Sequence, residues 1–218
     1  MLSYTIKRMR RKTLSSYVLD NGNVEVRAPY SVSDDDIEKF IAEKEDTLKR
    51  YIDEQLKRQA QKNSFVLDIG STLLFLGKEC KIEYGTKTQL LDDTFYVTQG
   101  NIKNQVVALY KLAAQKIITE RVEYLSKYTG LSYSSVKINS AKSRWGSCSA
   151  KKALNFSWFL IMASPHEIDY VIIHELSHTK HMNHSSKFWD EVAKYVSDYK
   201  ECRKNLNSIA RRLQVENW

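Results

Sequence analysis

The histidines of this chain are gathered in one short segment, and this clustering limits how that segment can fold. All five lie between His166 and His184, although the chain has 218 residues. The segment contains His174-Glu175-Leu176-Ser177-His178, in which two histidines are four positions apart. On an α-helix, side chains at i and i+4 lie on the same face. Two imidazoles so placed can share one tetrahedral zinc ion, so we predict a helix that carries a metal centre.

The residues before this motif predict where its helix begins. Ser164-Pro165-His166-Glu167 combines an N-cap serine, a proline at the first helical position and a glutamate at the third, which is a capping-box pattern. Apolar residues around the motif indicate that the helix is largely buried; they are Ile168, Val171, Ile172, Ile173 and Leu176. We therefore expect a buried helix that starts at about Pro165.

A catalytic zinc centre takes three protein ligands and keeps its fourth position open, so the motif requires a third ligand. His184 follows six positions after His178 and is preceded by Asn183, a residue that favours turns. His181 is the alternative, and it would share the ligand face only roughly on an unbroken helix. We favour His184, and with it one Zn²⁺ ion per chain.

Glu175, beside the first histidine, is the predicted general base. Zinc lowers the pKa of its water toward about 7, and a neighbouring carboxylate can take the proton. Two other readings are a buried helix with incidental histidines and a structural zinc site that recruits Cys148. Structural sites are usually rich in cysteine, and no cysteine lies near these histidines in the sequence. Cys148 is not expected to be a nucleophile, since nothing in the sequence predicts a lowered thiol pKa.

The remaining composition is that of a globular protein, with 42% hydrophobic and 28% charged residues. No apolar run reaches the roughly 18 residues of a membrane span, and the first residues lack a signal-peptide pattern, so no membrane association is expected. The 3 cysteines are far apart, which argues against a disulfide framework and makes a cytoplasmic location the expectation. The net charge of +8 permits an acidic partner, but no single basic block dominates the chain.

Hydrophobic periodicity predicts a strand-rich beginning and a helical end. The expected strands are 4–8, 14–19, 24–28, 73–76, 81–84, 94–97 and 135–139, with a turn at Asn21-Gly22, a loop over 141–149 and an apolar segment over 153–161. The expected helices are about 34–61 (single or broken), 102–128, 187–196 and 200–214, besides the metal helix. The predicted fold class is α+β, with an N-terminal strand-and-helix lobe over residues 1–100 and a catalytic lobe over residues 101–218.

Further motifs accompany the histidines. They are Arg144-Trp145-Gly146-Ser147-Cys148, Leu154-Asn155-Phe156, Ser164-Pro165, Asp169-Tyr170-Val171, and Asn183-His184 with Phe188-Trp189. Together with His174–His178 they closely resemble the YgjP-like metallopeptidase family, a zincin group related to the SprT-like proteases. The resemblance covers nearly the whole chain and is densest from Ile138 to Trp189.

This resemblance implies a zincin-like, minimal gluzincin fold in one continuous family domain. A backing helix over about 102–128 and a small sheet would pack against the metal helix. The implied zinc ligands are His174, His178 and His184, with Glu175 as the general base. The residues singled out as candidates for substrate binding or support are Arg144, Trp145, Asn155, His166 and Tyr170.

These supporting residues have several possible roles. Arg144 can orient a carboxylate, such as Asp169 or Glu175, or bind a phosphate or carboxylate of the substrate. Trp145 can pack under the metal helix. The candidates for stabilising an oxyanion are Arg144, His166, Tyr170 and Tyr195. The segment 154–159 is a candidate edge strand, to which an extended substrate would add.

We predict a zinc-dependent hydrolase, first of all a metallopeptidase that cleaves extended polypeptide. The first alternative is a metal-dependent nucleotide (UTP) pyrophosphatase, a label that some family members carry. The basic residues Lys142, Arg144, Lys151 and Lys152 suit a polyphosphate, but three imidazoles favour zinc over magnesium. The second alternative is a DNA-associated SprT-like protease or a non-catalytic nucleic-acid-binding module, which the charge permits and no motif supports. The oligomeric state is not predicted.

Overall fold

A computed structural model of the protein describes residues 2–216 and residue 218. By its internal contacts the chain forms two compact units. One comprises Met1–Phe65 with Arg211–Trp218, and the other comprises Val66–Ala210. The division by contacts therefore falls at residue 65, and the functional boundary expected at residue 100 stays a prediction.

The first unit contains a three-stranded sheet and two helices. Its strands are β1 (Tyr4–Arg8), β2 (Ser15–Val18) and β3 (Val24–Ala28), and its helices are α1 (Asp34–Glu43) and α2 (Glu45–Ser64). β3 is central, parallel to β1 and antiparallel to β2, so the hairpin predicted at Asn21-Gly22 is confirmed. The predicted helix over 34–61 is the broken form, and its break lies at Lys44. Alternate residues of β3 pack against the two helices to form this unit's core.

The second unit contains two small sheets. The first has the order β4-β5-β7-β6, built from β4 (Thr72–Phe75), β5 (Lys78–Tyr84), β6 (Gln89–Leu91) and β7 (Thr94–Val97). The second has the order β8-β10-β9, built from β8 (Ser135–Asn139), β9 (Gly146–Cys148) and β10 (Ala153–Ser157). β9 lies inside the segment expected to be a loop. It has only three residues and begins with glycine, so its sequence carries little strand signal.

Four further helices follow along the chain: α3 (Ile102–Thr129), α4 (Pro165–Ser177), α5 (Ser186–Ala193) and α6 (Tyr199–Val215). α3 begins at Asn101, whose side chain accepts a hydrogen bond from the Asn104 amide, and it ends at Gly130 with a left-handed φ of 71°. The observed elements give a mixed α+β fold, as predicted. In the described part of the chain, no helix combines the length and apolarity needed to cross a membrane.

The buried face of α3 differs from the predicted one by one position at three points. Its buried residues are Val106, Tyr110, Ala114, Ile118, Val122 and Leu125, whereas the predicted face included Ala113, Ile117 and Arg121. Apolar residues stand at both positions of the pairs 113/114 and 117/118, so periodicity could not choose between them.

The segment expected to be an edge strand is central in its sheet, which corrects that prediction. β10 has β8 on one side and β9 on the other, and a 3-10 helix over Trp158–Met162 follows it directly. The edge strand that contacts α4 is β9. The run over 153–161 is apolar, and a buried central strand is what such a run favours.

Candidate metal centre and adjoining pocket

The capping box predicted before α4 is confirmed. The Ser164 side chain accepts a hydrogen bond from the Glu167 amide, and the Glu167 carboxylate accepts one from the Ser164 amide at 2.9 Å. Pro165 occupies the first helical position. The apolar residues of α4 are buried, so the two histidines of the motif project from a helix with a fixed start.

An ion pair holds α4 against α3. Arg121 on α3 donates two hydrogen bonds to the carboxylate of Asp169 on α4, at 2.5 Å and 2.7 Å. This two-pronged geometry restricts how α4 can rotate about its own axis. Asp169 was a predicted candidate partner of Arg144, but its carboxylate is paired with Arg121 instead.

Three imidazoles converge where α4 ends. One ring nitrogen from each of His174, His178 and His184 lies within 4.8 Å of the others. The Nε2 atoms of His174 and His184 are 3.2 Å apart. With Zn–N bonds of about 2.0–2.1 Å, tetrahedral geometry separates two ligand nitrogens by about 3.3 Å. The spacing between these two atoms therefore fits a shared zinc ion.

The protonation of the rings also fits a metal. Burial, with smaller contributions from the neighbouring His178, His184 and Arg203, lowers the pKa of His174 to about 3, and burial lowers that of His178. Both rings are therefore neutral near pH 7, and neutral imidazole is the form that ligates metal. His178 donates from Nδ1 to the carbonyl oxygen of His181 at 3.0 Å, which leaves its Nε2 lone pair for an ion. An all-imidazole set favours zinc over magnesium or calcium.

His181 is directed elsewhere. Its Nε2 lies 4.0 Å from the buried carboxylate of Glu191, which also accepts hydrogen bonds from Lys180 and Lys194 at 2.8 Å and 2.9 Å. Of the two residues weighed as third ligand, the structure thus brings His184 to the pair on α4. His181 contributes its backbone carbonyl to the site instead of its ring.

Two aromatic residues of α5 pack against the imidazoles, and no role was predicted for either of them. The ring of Phe188, fully buried, stacks on His178 with centroids 4.4 Å apart and lies 4.8 Å from the rings of His174 and His184. Trp189 stacks on His184 at 5.6 Å. The four-residue spacing of His184 and Phe188 is the sequence feature that could have indicated this contact. These rings restrict rotation of the three imidazoles.

Glu175 is buried, with 6% of its surface exposed. Burial raises the pKa of its carboxyl to about 7, and the positive charge of Arg144 opposes that rise. The backbone of β9 lies directly against this carboxyl, because a Cβ placed on Gly146 would be 2.7 Å from both Cγ and Oε1 of Glu175. Only glycine leaves this room.

A pocket of about 260 Å³ opens beside Glu175 and His174. Its wall consists of Arg144, Trp145, Gly146, Tyr170, Val171, His174, Glu175, Arg203, Leu206 and Asn207. The structure therefore brings three of the five candidate supporting residues, Arg144, Trp145 and Tyr170, to one place. Burial raises the pKa of Tyr170 to about 12, so its hydroxyl keeps its proton at neutral pH.

The other candidate supporting residues lie away from this pocket. Asn155 sits on β10 opposite Ser147 of β9. His166 forms hydrogen bonds with Asp198 at 2.9 Å and 3.1 Å. The hydroxyl of Tyr195 donates a hydrogen bond to the carbonyl oxygen of Thr129 at 3.2 Å, so this hydroxyl is engaged outside the pocket.

Three pocket residues of α6 were not predicted from the sequence, namely Arg203, Leu206 and Asn207. No motif surrounds them, and their approach to α4 is a long-range contact. The amphipathic pattern of α6 predicted a packed helix, but it carried no sign of a neighbouring site.

The two cysteines nearest the site are poor nucleophiles. Burial and the charge of Glu175 raise the pKa of the Cys148 thiol. The Cys202 thiol lies near His166 and Asp198, and burial followed by nearby carboxylates raises its pKa to about 11. Both thiols therefore stay protonated at neutral pH, in agreement with the expectation for Cys148.

The family whose model matches the chain is a metallopeptidase family. The chain matches the family model of the YgjP-like metallopeptidase domain over residues 12–209. No curated protein matches it significantly. Among solved structures, it is similar to the metallopeptidase zymogen of Pyrococcus abyssi abylysin, with 26% identity, 42% of this chain and 93% of that chain covered, and a TM-score of 0.39. It is also similar to the metallopeptidase zymogen of Methanocaldococcus jannaschii jannalysin, with 25% identity, 43% and 96% covered, and a TM-score of 0.39.

Proposed function

The chain belongs to the YgjP-like metallopeptidase family, and from this premise we propose that it hydrolyses peptide bonds in extended polypeptide with zinc held by His174, His178 and His184. The observation that carries the proposal is the convergence of three imidazole nitrogens beside the buried carboxyl of Glu175. A zinc ion there supplies Lewis-acid polarisation of a carbonyl and lowers the pKa of a water molecule toward about 7.

Glu175 is proposed as the proton carrier. A group with a pKa near the working pH can both accept and return a proton, and burial raises the pKa of Glu175 to about 7. As a carboxylate it takes a proton from the attacking water, and as an acid it gives that proton to the leaving amine. The backbone at Gly146 restricts the carboxyl to the side of α4 that faces the pocket.

We further propose a zincin-like arrangement, in which α4 is the metal helix, α3 backs it and the sheet of β8–β10 flanks it. β9 is then the strand that aligns the substrate. Its outer edge has no partner strand among the described residues, so an extended polypeptide can pair with its free backbone groups. A nucleotide or nucleic-acid substrate has no comparable support from the described residues.

The test compares metal content with cleavage of an unfolded polypeptide in four proteins purified without added metal. Wild type should carry about one zinc ion per chain. Glu175→Gln should keep the zinc and lose at least about 100-fold in activity, because proton transfer contributes that much. His184→Ala should lose the zinc. His181→Ala is the matched control and should keep both the metal and the activity, because only its carbonyl serves the site.

Two results would contradict the proposal. One is full cleavage by Glu175→Gln, which would remove the proposed proton carrier. The other is a wild-type protein that binds no zinc even after reconstitution.

A further inference from the structure

The pocket beside the candidate metal centre is rich in donors and poor in acceptors. Arg144 and Arg203 line it, and within the described residues neither guanidinium forms a hydrogen bond or a close ion pair with a carboxylate, although the charge of Arg144 acts on Glu175. The hydroxyl of Tyr170 has no hydrogen-bond partner there either. Glu175 is the only acidic residue on the wall, and it is assigned to proton transfer. A ligand of this pocket must therefore bring its own acceptors.

The guanidinium of Arg203 is held in position by stacked rings. It lies over Trp189, 5.2 Å from the ring centroid, and Trp189 stacks in turn on Tyr199 at 4.9 Å. Trp189 also stacks on His184, so the charge is supported by the same ring that packs on the metal centre. A cation held in this way loses little freedom when it binds an anion.

The charge of Arg203 acts on the pocket. Burial is the largest influence on the pKa values of His174 and Tyr170, and the charge of Arg203 lowers both. Arg144 approaches from the β9 side, where its charge lowers the pKa of Glu175. The pocket thus has one arginine from α6 and another from the segment that leads into β9.

We propose that this pocket is a carboxylate subsite, in which Arg144 and Arg203 bind an acidic side chain or the C-terminal carboxylate of the polypeptide close to the bond that is cleaved. Planar guanidinium groups match a carboxylate with paired hydrogen bonds. The volume of about 260 Å³ is below the roughly 300–1,000 Å³ of sites for larger ligands, and it suits one side chain or chain end. This inference rests on the proposed peptidase function.

The experiment uses sets of matched peptides and two readouts. Within each set, one position beside the cleaved bond is Glu or Gln, and the C-terminus is either free or amidated. Cleavage is measured as kcat/KM with the zinc-loaded enzyme. Binding is measured by calorimetry with zinc-loaded Glu175→Gln, in which cleavage is expected to be at least about 100-fold slower. A preference for Glu over Gln would identify an acidic side chain as the source of the carboxylate, and a preference for the free over the amidated C-terminus would identify the chain end.

We expect Arg203→Gln to lower kcat/KM roughly tenfold more for peptides that present the carboxylate than for neutral ones. Arg203→Lys should recover part of the loss. Lys204→Gln is the matched control, because it removes the same charge at the next exposed position of α6, outside the pocket. Arg144→Gln, made in the Glu175→Gln background, should weaken binding of the same peptides. Because the amide at position 175 does not ionise, this effect cannot come from a changed charge at that position.

Equal binding of acidic and neutral peptides, or an equal loss for both in Arg203→Gln, would overturn the subsite. The unfolding temperature of Arg203→Gln is measured as well, and a value equal to that of wild type shows that a loss of activity does not come from misfolding. Arginine-dependent binding without any cleavage by wild type would support the subsite and contradict the peptidase. Cleavage without any dependence on the two arginines would leave the peptidase and remove the subsite.

Discussion

At the scale of single residues, burial shifts the pKa values of one carboxyl and two imidazoles of the site toward their neutral forms. Burial raises the pKa of Glu175 to about 7 from its usual 4.5, so the folded protein holds a proton that the unfolded chain releases. The stability from this proton is complete below about pH 4.5 and is lost as the pH rises through about 7. His174 acts in the opposite direction. Its contribution is present above about pH 6.5 and is lost as the pH falls toward 3.

We therefore predict a pH-dependent difference between the metal-free wild type and metal-free Glu175→Gln. The amide has no proton to release, so the variant should gain stability relative to wild type by roughly 2 kcal/mol between pH 5 and pH 8. Urea unfolding of both proteins in chelator, at several pH values, measures this gain. The contribution of His174 to the pH dependence of stability is the same in both proteins, so it cancels in their difference. Parallel stability curves would show that Glu175 is not protonated by burial.

The sequence indicated which histidines lie together better than it indicated which residues line the pocket. A four-residue spacing on a capped helix fixes the side on which His174 and His178 lie, and the turn residue Asn183 favoured His184. Arg203 could not be found in this way, because its place beside Tyr170 depends on how α6 packs on α4. His166 lies on the same helix as the motif, but it pairs with Asp198 near the start of α6.

At the scale of elements, the contact between β9 and α4 determines where the Glu175 carboxyl can lie. A methyl group at Gly146 would overlap Cγ and Oε1 of Glu175. We predict that Gly146→Ala keeps its zinc, because no ligand is touched, and loses about tenfold to 100-fold in cleavage, because a small displacement of a catalytic group is costly. Ser147→Ala, the next position of β9, is the control and should cleave normally.

The measurement pairs elemental analysis with kcat/KM for both variants. Wild-type cleavage by Gly146→Ala would mean that the carboxyl is not restricted by β9. Loss of zinc from this variant would mean that the disturbance reaches the histidines, and the role assigned to the contact would be wrong.

Elements with strong local signals were predicted, and the three-residue strands β6 and β9 were not. The capping box at Ser164 located the start of α4, and Gly130 located the end of α3. β9 has three residues, and its strand character comes from pairing with β10, which is invisible in its own sequence. For the same reason β10 was expected at an edge, since the strand that covers it was not foreseen.

At the scale of the whole molecule, the candidate metal ion would connect the end of α4 to the segment before α5. Ligand binding stabilises the folded state by about 2.7 kcal/mol when the free ligand is at 100 times its dissociation constant. We predict that chelation increases hydrogen exchange over residues 178–187 of the second unit and leaves the amides of β1, β2 and β3 unchanged. Exchange measured with and without chelator tests this prediction. His184→Ala should reproduce the pattern without chelator, and a uniform increase over both units would contradict it.

The mixed α+β class followed from the alternation of periodic patterns along the chain. The division into two units could not be predicted from these patterns, because residues 211–218 group with the N-terminal 65 residues and not with their neighbours in sequence. Such a grouping depends on long-range packing, which local periodicity does not report. The amphipathic pattern of α6 is uniform across residue 210, so nothing in it marks the change.

The hydrogen bond from His178 to the carbonyl of His181 has an evolutionary consequence. A carbonyl oxygen is common to every amino acid, so selection for this contact acts on the path of the backbone and not on the side chain. The imidazole at 181 can therefore drift to other residues among descendants of this gene while the ring of His178 stays oriented. A histidine count alone would overstate the number of positions under chemical constraint.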